Sequence, residues 1–161
     1  MEVLPKLIVF DLDLTLWPFR TDHCQRPFKL VSFGRIKDND GNEYELYPEV
    51  LDILSELKKK NYTLAIASRI EDISTAYLLL IYFNISDFFK FKEIYPGSKI
   101  IHFKWLNLKS HIPYSQMIFF DDDKRNIHTV AKLGVHSYHL KDNKGISLEN
   151  VRQIFNYNII N

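Results

Sequence analysis

The fold is decided by the stretch Leu7-Ile8-Val9-Phe10-Asp11-Leu12-Asp13-Leu14-Thr15. Its first four residues form a continuous apolar run, which is typical of a strand buried on both faces of a sheet. Two aspartates follow directly, at the point where that strand would end. In open α/β sheets, ligands bind beyond the carboxyl ends of the strands. The stretch therefore predicts a buried strand that carries two carboxylates to a functional edge.

Two further apolar runs repeat this arrangement, at 63–67 and 117–120. The first is followed by Ser68-Arg69 and the second by Asp121-Asp122-Asp123. Apolar residues at helical spacing lie between the runs, so strand and helix alternate along most of the chain. This alternation predicts an α/β protein with a doubly wound parallel sheet and helices on both faces. We predict weaker strands at 91–94 and 135–139, and helices at 48–60, 70–81, 99–106, 124–133 and 147–155.

One segment, Phe28 to Leu46, departs from the alternation. It contains Asp38-Asn39-Asp40-Gly41, a strong turn signal, between stretches of mixed polar and apolar residues. We predict that residues 28–46 form a small β-hairpin insertion that acts as a minimal cap, or flap, over one side of the site. No repeat or linker divides the chain, so residues 1–161 are predicted to be a single domain.

Composition narrows the class of protein. Of the 161 residues, 46% are hydrophobic and 25% are charged, which is typical of a folded globular domain. The formal net charge is only +1, so no overall field favours nucleic acid or an anionic membrane. Cys24 is the only cysteine, which excludes an internal disulfide. The sequence shows neither a signal peptide nor a membrane-spanning run, and we expect a cytoplasmic protein.

The acidic residues indicate a metal. Carboxylates that follow two separate buried strands would converge at one edge of the sheet, where they repel each other unless a cation lies among them. A divalent ion that prefers oxygen ligands is therefore predicted at this edge.

These residues resemble a known family. The stretch from Phe10 to Leu16 resembles the DxDxT nucleophile motif of the haloacid dehalogenase superfamily, whose members are mostly phosphohydrolases. The match narrows to the magnesium-dependent phosphatase-1 family on three further stretches: Trp17-Pro18-Phe19, Tyr95-Pro96-Gly97-Ser98-Lys99 and Phe119-Phe120-Asp121-Asp122. The resemblance covers nearly the whole chain, and the motifs occur in the superfamily's order.

The resemblance implies a role for each matching residue. Asp11 would attack phosphorus to form an aspartyl-phosphate, and Asp13 would act as general acid and then general base. Mg²⁺ would be held by the Asp11 carboxylate, the backbone carbonyl of Asp13 and Asp122. The phosphate would be bound by Ser68, by Lys99 and by the backbone around Leu12 and Arg69.

Two positions depart from the family pattern, Leu14 and Arg20, where members often carry aromatic residues. Both lie near the nucleophile, so the departures bear on substrate preference more than on mechanism. We expect Arg20 to bind a phosphate or a substrate carboxylate, with a solvated arginine as the alternative.

Other interpretations of these side chains remain open. Asp11 and Asp13 could be turn or cap residues, and Ser68 could cap a helix that starts near Ile70. Lys104 is a rival to Lys99. Within the acidic run Asp122 is the matched ligand, Asp121 could support it from behind the ligand shell, and Asp123 could be an anion at the start of a helix, beside Lys124-Arg125. Residues expected to have no role in the site are His102 and His128, predicted on helix surfaces, and Cys24, predicted to be a plain thiol.

The leading functional hypothesis is a Mg²⁺-dependent phosphomonoesterase. Its expected substrates are phosphotyrosine-like aryl phosphates or sugar phosphates, carried by a small molecule or a phosphoprotein. A phosphotransferase of the same superfamily and a non-catalytic phosphate-binding module are the alternatives. Because the insertion is small, we expect an open site.

Overall fold

The computed structural model describes residues 4–159, and its centre is a five-stranded parallel sheet. The strand order is β6-β5-β1-β7-β8, so the strand that precedes Asp11 lies in the middle. All four strand pairs are parallel, as the alternating sequence pattern predicts. The strands are β1 (Leu7–Phe10), β5 (Thr63–Ser68), β6 (Phe89–Ile94), β7 (Met117–Asp121) and β8 (His136–His139).

Helices cover both faces of this sheet. They are α1 (Val50–Lys59), α2 (Ile73–Tyr82), α3 (Lys99–Ser110), α4 (Lys124–Ala131) and α5 (Leu148–Ile159). Side chains of β1 alternate between two hydrophobic clusters: Ile8 and Phe10 pack with residues of α1, α2 and α5, whereas Leu7 and Val9 pack with residues of α3 and α4. Because β1 is buried on both faces, all four of its residues are apolar. The predicted doubly wound α/β fold is confirmed.

The insertion differs from the prediction in its number of strands. It forms a separate three-stranded antiparallel sheet, ordered β2 (Lys29–Ser32), β3 (Arg35–Lys37) and β4 (Glu43–Tyr44). The predicted turn at 38–41 joins β3 to β4, and Gly34, with φ +75°, allows a second turn between β2 and β3. The segment before the predicted turn is therefore itself a hairpin.

The buried side chains of the insertion attach it to the main body. Ile36 is fully buried, and Phe28 and Tyr44 pack against Phe19 in the connection after β1. Asp38 is also buried, and it accepts hydrogen bonds from the backbone of Asp40 and Asn42 and from the Tyr44 hydroxyl. These bonds fix the turn at 38–41.

Within residues 4–159, none of the helices combines the length and the apolar content that crossing a membrane requires.

Candidate active site

The predicted site residues meet at the carboxyl edge of the sheet. Polar residues from the connections after β1, β5, β6 and β7 line a cavity of about 500 Å³. Seven of the eight site residues predicted from the sequence line it: Asp11, Asp13, Arg20, Ser68, Arg69, Lys99 and Asp122. Leu12 is fully buried, so that only its backbone can serve the site. The strand topology therefore brings together residues that are distant in the chain.

A tight turn after β1 holds Asp13. Leu14 adopts a left-handed conformation with φ 60°, and its N–H donates to the carbonyl oxygen of Trp17. This turn places the Trp17 indole 2.7 Å from Oδ1 of Asp13. The Thr21 hydroxyl donates to the same oxygen at 2.6 Å, and the Thr21 N–H donates to Oδ2 at 3.1 Å. Three donors from two residues therefore fix the orientation of this carboxyl group.

The environment of Asp13 also changes its acidity. Burial raises the pKa of this carboxyl group, and the hydrogen bonds from Thr21 and Trp17 oppose the rise only in part. A carboxyl group with a raised pKa is better able to carry a proton near neutral pH, which is what a general acid requires.

Lys99 lies inside the acidic cluster. It is the first residue of α3 and only 1% exposed. Its ammonium lies 3.0 Å from Oδ1 of Asp11 and 3.1 Å from Oδ2 of Asp121, and it also donates to the carbonyl oxygen of Ala67. Burial alone would lower the pKa of Lys99, but the two carboxylates raise it above its ordinary value. Lys99 is therefore held as a cation.

Lys99 does not neutralise the cluster. Asp11, Asp121 and Asp122 each offer a carboxylate oxygen, and these oxygens lie within 4.8 Å of one another. Burial and the Asp121 charge raise the pKa of Asp11 well above its usual range. The same two causes raise the pKa of Asp122 to about 6. Three carboxylates around one ammonium leave an excess of negative charge, so the cluster favours a further cation.

The three acids of the run 121–123 have different surroundings. Asp121 is fully buried and accepts hydrogen bonds from the Asp123 N–H at 2.9 Å and the Asn126 side chain at 3.0 Å. Asp123 caps α4 by accepting from the Arg125 N–H at 2.9 Å. Asp122 is partly exposed and lines the cavity, and His139 Nε2 lies 2.9 Å from its backbone oxygen. Among the three, Asp122 is the one whose side chain accepts no hydrogen bond from the donors described for Asp121 and Asp123.

The donor set fits Mg²⁺. The ion prefers hard oxygen ligands, usually one or two carboxylates completed by water and phosphate oxygens. The cluster of Asp11, Asp121 and Asp122 offers carboxylate oxygens, and the cavity leaves one side of it open. Asp11 and Asp122 would hold the ion, because Asp121 is already bound by Lys99, the Asp123 N–H and Asn126.

Ser68 ends β5 at the floor of the cavity and is 1% exposed. The sequence suggested that it could cap the next helix, but α2 begins at Ile73, and Asp72 caps it by accepting from the Thr75 N–H. The Ser68 hydroxyl oxygen instead accepts from the Ile70 N–H at 3.3 Å, within the loop. Its hydroxyl proton is therefore available to a ligand.

Several other predictions can be compared with the structure. Lys104 is exposed, so it does not rival Lys99, and His128 is exposed as predicted. The prediction that His102 lies on a helix surface was wrong: its ring is fully buried. Burial also raises the pKa of the Cys24 thiol, which disfavours a thiolate nucleophile.

The sequence also left the partners of Asp13 and Asp121 unidentified. Trp17, Thr21 and Asn126 hold these carboxyl groups. Trp17 belongs to a stretch that matches the family pattern, but the match does not identify its bond to Asp13, and Thr21 and Asn126 carry no distinctive signal in a single sequence. The spacing of four residues between Asp13 and Trp17 becomes informative only once the left-handed turn at Leu14 is known.

Comparison with known proteins agrees with this geometry. The family described as Acid Phosphatase matches residues 3–157 of the chain. Human magnesium-dependent phosphatase 1 is 48% identical over 154 residues, which cover 95% of this chain and 86% of that protein. A HAD-like hydrolase superfamily protein of Schizosaccharomyces pombe is 38% identical over 143 residues, covering 81% of this chain and 83% of that protein.

Solved structures share the fold at low sequence identity. The N-terminal part of BF1531 from Bacteroides fragilis, which contains a phosphatase domain and is complexed with Mg, matches 94% of this chain and 40% of that one. Its TM-score is 0.72 and its identity 16%. A hydrolase of Ehrlichia chaffeensis matches 98% of both chains with a TM-score of 0.68 and 15% identity. The fold is that of the haloacid dehalogenase superfamily.

Within that superfamily, the sequence relatives identify the family. The chain belongs to the magnesium-dependent phosphatase 1 family.

Proposed function

We propose that this chain, a Mg²⁺-dependent phosphatase of the haloacid dehalogenase superfamily, hydrolyses phosphate monoesters through an aspartyl-phosphate formed on Asp11. The observation that carries the proposal is the position of Asp11. Its carboxylate lies in one cavity with the Lys99 ammonium, with two further carboxylates and with the fixed side chain of Asp13. Phosphoryl transfer depends on such positioning and on charge stabilisation.

Asp11 is the nucleophile in this mechanism. The ion pair with Lys99 holds one carboxylate oxygen and so limits rotation of the side chain. An oxygen of Asp11 forms a bond to phosphorus while the bond between phosphorus and the leaving oxygen breaks. A water molecule then attacks the same phosphorus atom, and the Asp11 carboxylate leaves.

Asp13 moves the protons. In the first step its carboxyl group donates a proton to the leaving oxygen, and in the second step its carboxylate takes a proton from the attacking water. The bonds from Trp17 and Thr21 keep the group in place through both steps.

Mg²⁺, bound by Asp11, Asp122 and the backbone carbonyl of Asp13, would neutralise charge on the phosphate and the nucleophile. Ser68, Lys99 and the backbone N–H groups around Leu12 and Arg69 would bind the phosphate oxygens. Arg20 is exposed on the cavity wall, where its guanidinium can reach a second anionic group of the substrate.

The substrates we propose are phosphotyrosine-like aryl phosphates or sugar phosphates, including those carried on a protein. Support comes from the small insertion, which leaves the cavity accessible to a bulky group. None of the residues that line the cavity comes from the segment 28–46; the lining residues that directly precede this segment in the chain are Arg20, Thr21, Asp22 and Arg26. We propose that the insertion acts as a flap over one side of the site, and that it influences the cavity through these preceding residues.

A phosphate-release assay tests the proposal. Purified protein is given aryl and sugar phosphates with Mg²⁺ and, separately, with EDTA, and free phosphate is measured. Asp11→Asn serves as the nucleophile variant and Asp87→Asn, at an exposed aspartate that does not line the cavity, as the matched control. We expect release that requires Mg²⁺ and Asp11 but not Asp87. Transfer of phosphate to an added alcohol without release would instead identify a phosphotransferase. Binding without turnover would identify a non-catalytic module.

A further inference from the structure

His102 is a buried polar side chain that the mechanism does not use. It lies in the first turn of α3, three residues after Lys99, and its ring is fully buried. Every polar contact that the structure describes for its ring is with a backbone oxygen. Nε2 lies 2.9 Å from the oxygen of Ser68 and 2.8 Å from that of Tyr95, and Nδ1 lies 3.0 Å from that of Ser98.

These oxygens belong to the two loops that carry the proposed phosphate-binding residues. Ser68 ends β5, and Tyr95 and Ser98 belong to the connection between β6 and Lys99. Lys99 itself donates to the oxygen of Ala67. The first turn of α3 therefore contacts two consecutive carbonyls at the end of β5, one through Lys99 and the other through His102.

The hydrogen-bond acceptors around the ring favour the tautomer of His102 that carries its proton on Nε2. Burial lowers the pKa of His102, which favours the neutral ring with a single N–H. Two carbonyl oxygens face Nε2 and one faces Nδ1, and the Ser98 oxygen already accepts the Ile101 N–H at 3.0 Å. A proton on Nε2 therefore provides one donor shared between the oxygens of Ser68 and Tyr95, and this donor joins the two loops.

The contact with Ser68 also sets the direction of the next amide. The Ser68 oxygen accepts from the Tyr95 N–H at 3.1 Å as well as from His102, so both of its acceptor positions are used. In a planar trans peptide the following N–H points away from the carbonyl oxygen. Among the hydrogen bonds described for residues 4–159, the Arg69 N–H has no protein acceptor, and Arg69 lines the cavity. The fixed Ser68 carbonyl thus directs the Arg69 N–H away from the protein interior.

We propose that His102 is a positioning residue that joins the Ser68 loop to the Lys99 loop and so sets the geometry of the phosphate-binding groups. This inference rests on the proposed function, because it takes Ser68, Arg69 and Lys99 to be the groups that bind phosphate. His102 itself touches no substrate. Its effect is expected on phosphate affinity, whereas the acidic cluster, which it does not contact, should bind Mg²⁺ as before.

A purely structural role is the alternative. The ring stacks on Tyr95 with a centroid distance of 4.3 Å and an interplanar angle of 15°, so His102 contributes packing as well as hydrogen bonds. His102→Phe separates the two contributions, because phenylalanine keeps an aromatic ring for stacking and removes the N–H. His102→Gln is the second variant, since its side-chain amide can still donate a hydrogen bond. His128→Phe, at an exposed position of α4, is the matched control.

The experiment measures binding of inorganic phosphate by calorimetry at saturating Mg²⁺, together with Mg²⁺ binding alone and the KM and kcat for an aryl phosphate. For His102→Phe we expect a phosphate Kd raised about tenfold, the loss of one buried hydrogen bond. We expect a smaller rise for His102→Gln, no change for His128→Phe, and unchanged Mg²⁺ affinity in all three.

Two results would overturn the role of His102 alone: a folded His102→Phe protein with the wild-type phosphate Kd, or failure of both His102 variants to fold. If the wild-type protein neither binds nor releases phosphate, the proposed function fails as well. The wild-type arm therefore distinguishes the two failures.

Discussion

The ammonium of Lys99 lies 3.0 Å from Oδ1 of Asp11, although 88 residues separate the two in the chain. The same ammonium lies 3.1 Å from Asp121, so one buried cation is shared by two buried carboxylates. Loss of one partner from a buried ion pair leaves an uncompensated charge, which costs far more than the pair itself contributes. Lys99 is therefore expected to stabilise the fold as well as to bind phosphate.

Lys99→Met should lower the free energy of unfolding in metal-free buffer by about 3 to 5 kcal/mol, the usual cost of breaking a buried pair. Urea denaturation measures this change. Lys104→Met is the control, since Lys104 is an exposed lysine on the same helix, and it should be nearly neutral. Equal losses in the two variants would contradict the role given to the buried pair.

Asp11→Asn should abolish phosphate release without destabilising the metal-free protein. The substitution removes one of three crowded carboxylates, whose burial and mutual repulsion raise the pKa of Asp11, and it leaves Lys99 paired with Asp121. We expect a melting temperature in EDTA equal to or above that of the wild type, measured by thermal denaturation beside the release assay. Near-native turnover in this variant would contradict attack by Asp11.

Asp13→Asn should lower kcat by roughly 10² to 10⁴-fold, because an amide cannot donate or accept the proton in the two steps. The loss should be smaller for nitrophenyl phosphate, whose leaving group needs less protonation, than for a sugar phosphate. The comparison of the two substrates in the same assay is the measurement. An equal loss for both would indicate that Asp13 acts by position alone.

Stabilisation by Mg²⁺ should grow as the pH rises through the folded pKa of Asp122, about 6. A carboxyl group with a raised pKa is protonated in the folded state at pH values where the unfolded chain is already ionised. Its ionisation therefore destabilises the metal-free fold above about pH 6, and this effect disappears as the pH falls toward about 4.

The measurement is the shift in melting temperature on adding Mg²⁺, which should be larger at about pH 7.5 than at about pH 5.5. Asp122→Asn cannot titrate at this position, so the dependence on pH should be much weaker in this variant. If the shift in melting temperature depended on pH in this variant as it does in the wild type, another acid of the cluster would be the group that titrates.

Phe33→Ser should raise KM for a phosphorylated protein more than for nitrophenyl phosphate, if the insertion acts as a flap for bulky substrates. Phe33 lies at the β2–β3 turn and is 76% exposed, so its replacement should leave the fold intact. Leu108→Ser, at an exposed position on α3, is the control. Steady-state kinetics on both substrates measure the effect, and an equal KM change for both would make Phe33 irrelevant to selectivity.

The sequence predicted those features of the fold that depend on residues adjacent in the chain. The run Leu7 to Phe10 is apolar at every position because both faces of β1 are covered, and Asp11 follows it at the end of the strand. Continuous apolar runs and the polar residues after them thus predicted the sheet and the edge at which the site lies. Residues at the ends of parallel strands meet there regardless of their separation in the chain.

The sequence was uninformative where a side chain depends on a distant backbone atom. His102 can be buried because the carbonyl oxygens of Ser68 and Tyr95 form hydrogen bonds with its ring. The spacing of apolar residues within α3 contains no information about these oxygens. The start of α2 was misplaced for a similar reason: Ser68 and Asp72 are both good capping residues, and the β5 strand ends at the first of them. The second hairpin depends on one glycine, Gly34, which by itself is a weak turn signal.

The three-stranded insertion has a consequence for how this chain can diversify. Within residues 4–159 its strands pair only with one another, its tip at Phe33 faces solvent, and its residues do not line the cavity. Changes in the length or composition of that tip therefore leave in place the connections after β1, β5, β6 and β7, which carry the proposed site residues. A recognition loop grafted between β2 and β3 is therefore expected to change which macromolecule the protein contacts, while the proposed site residues stay as they are.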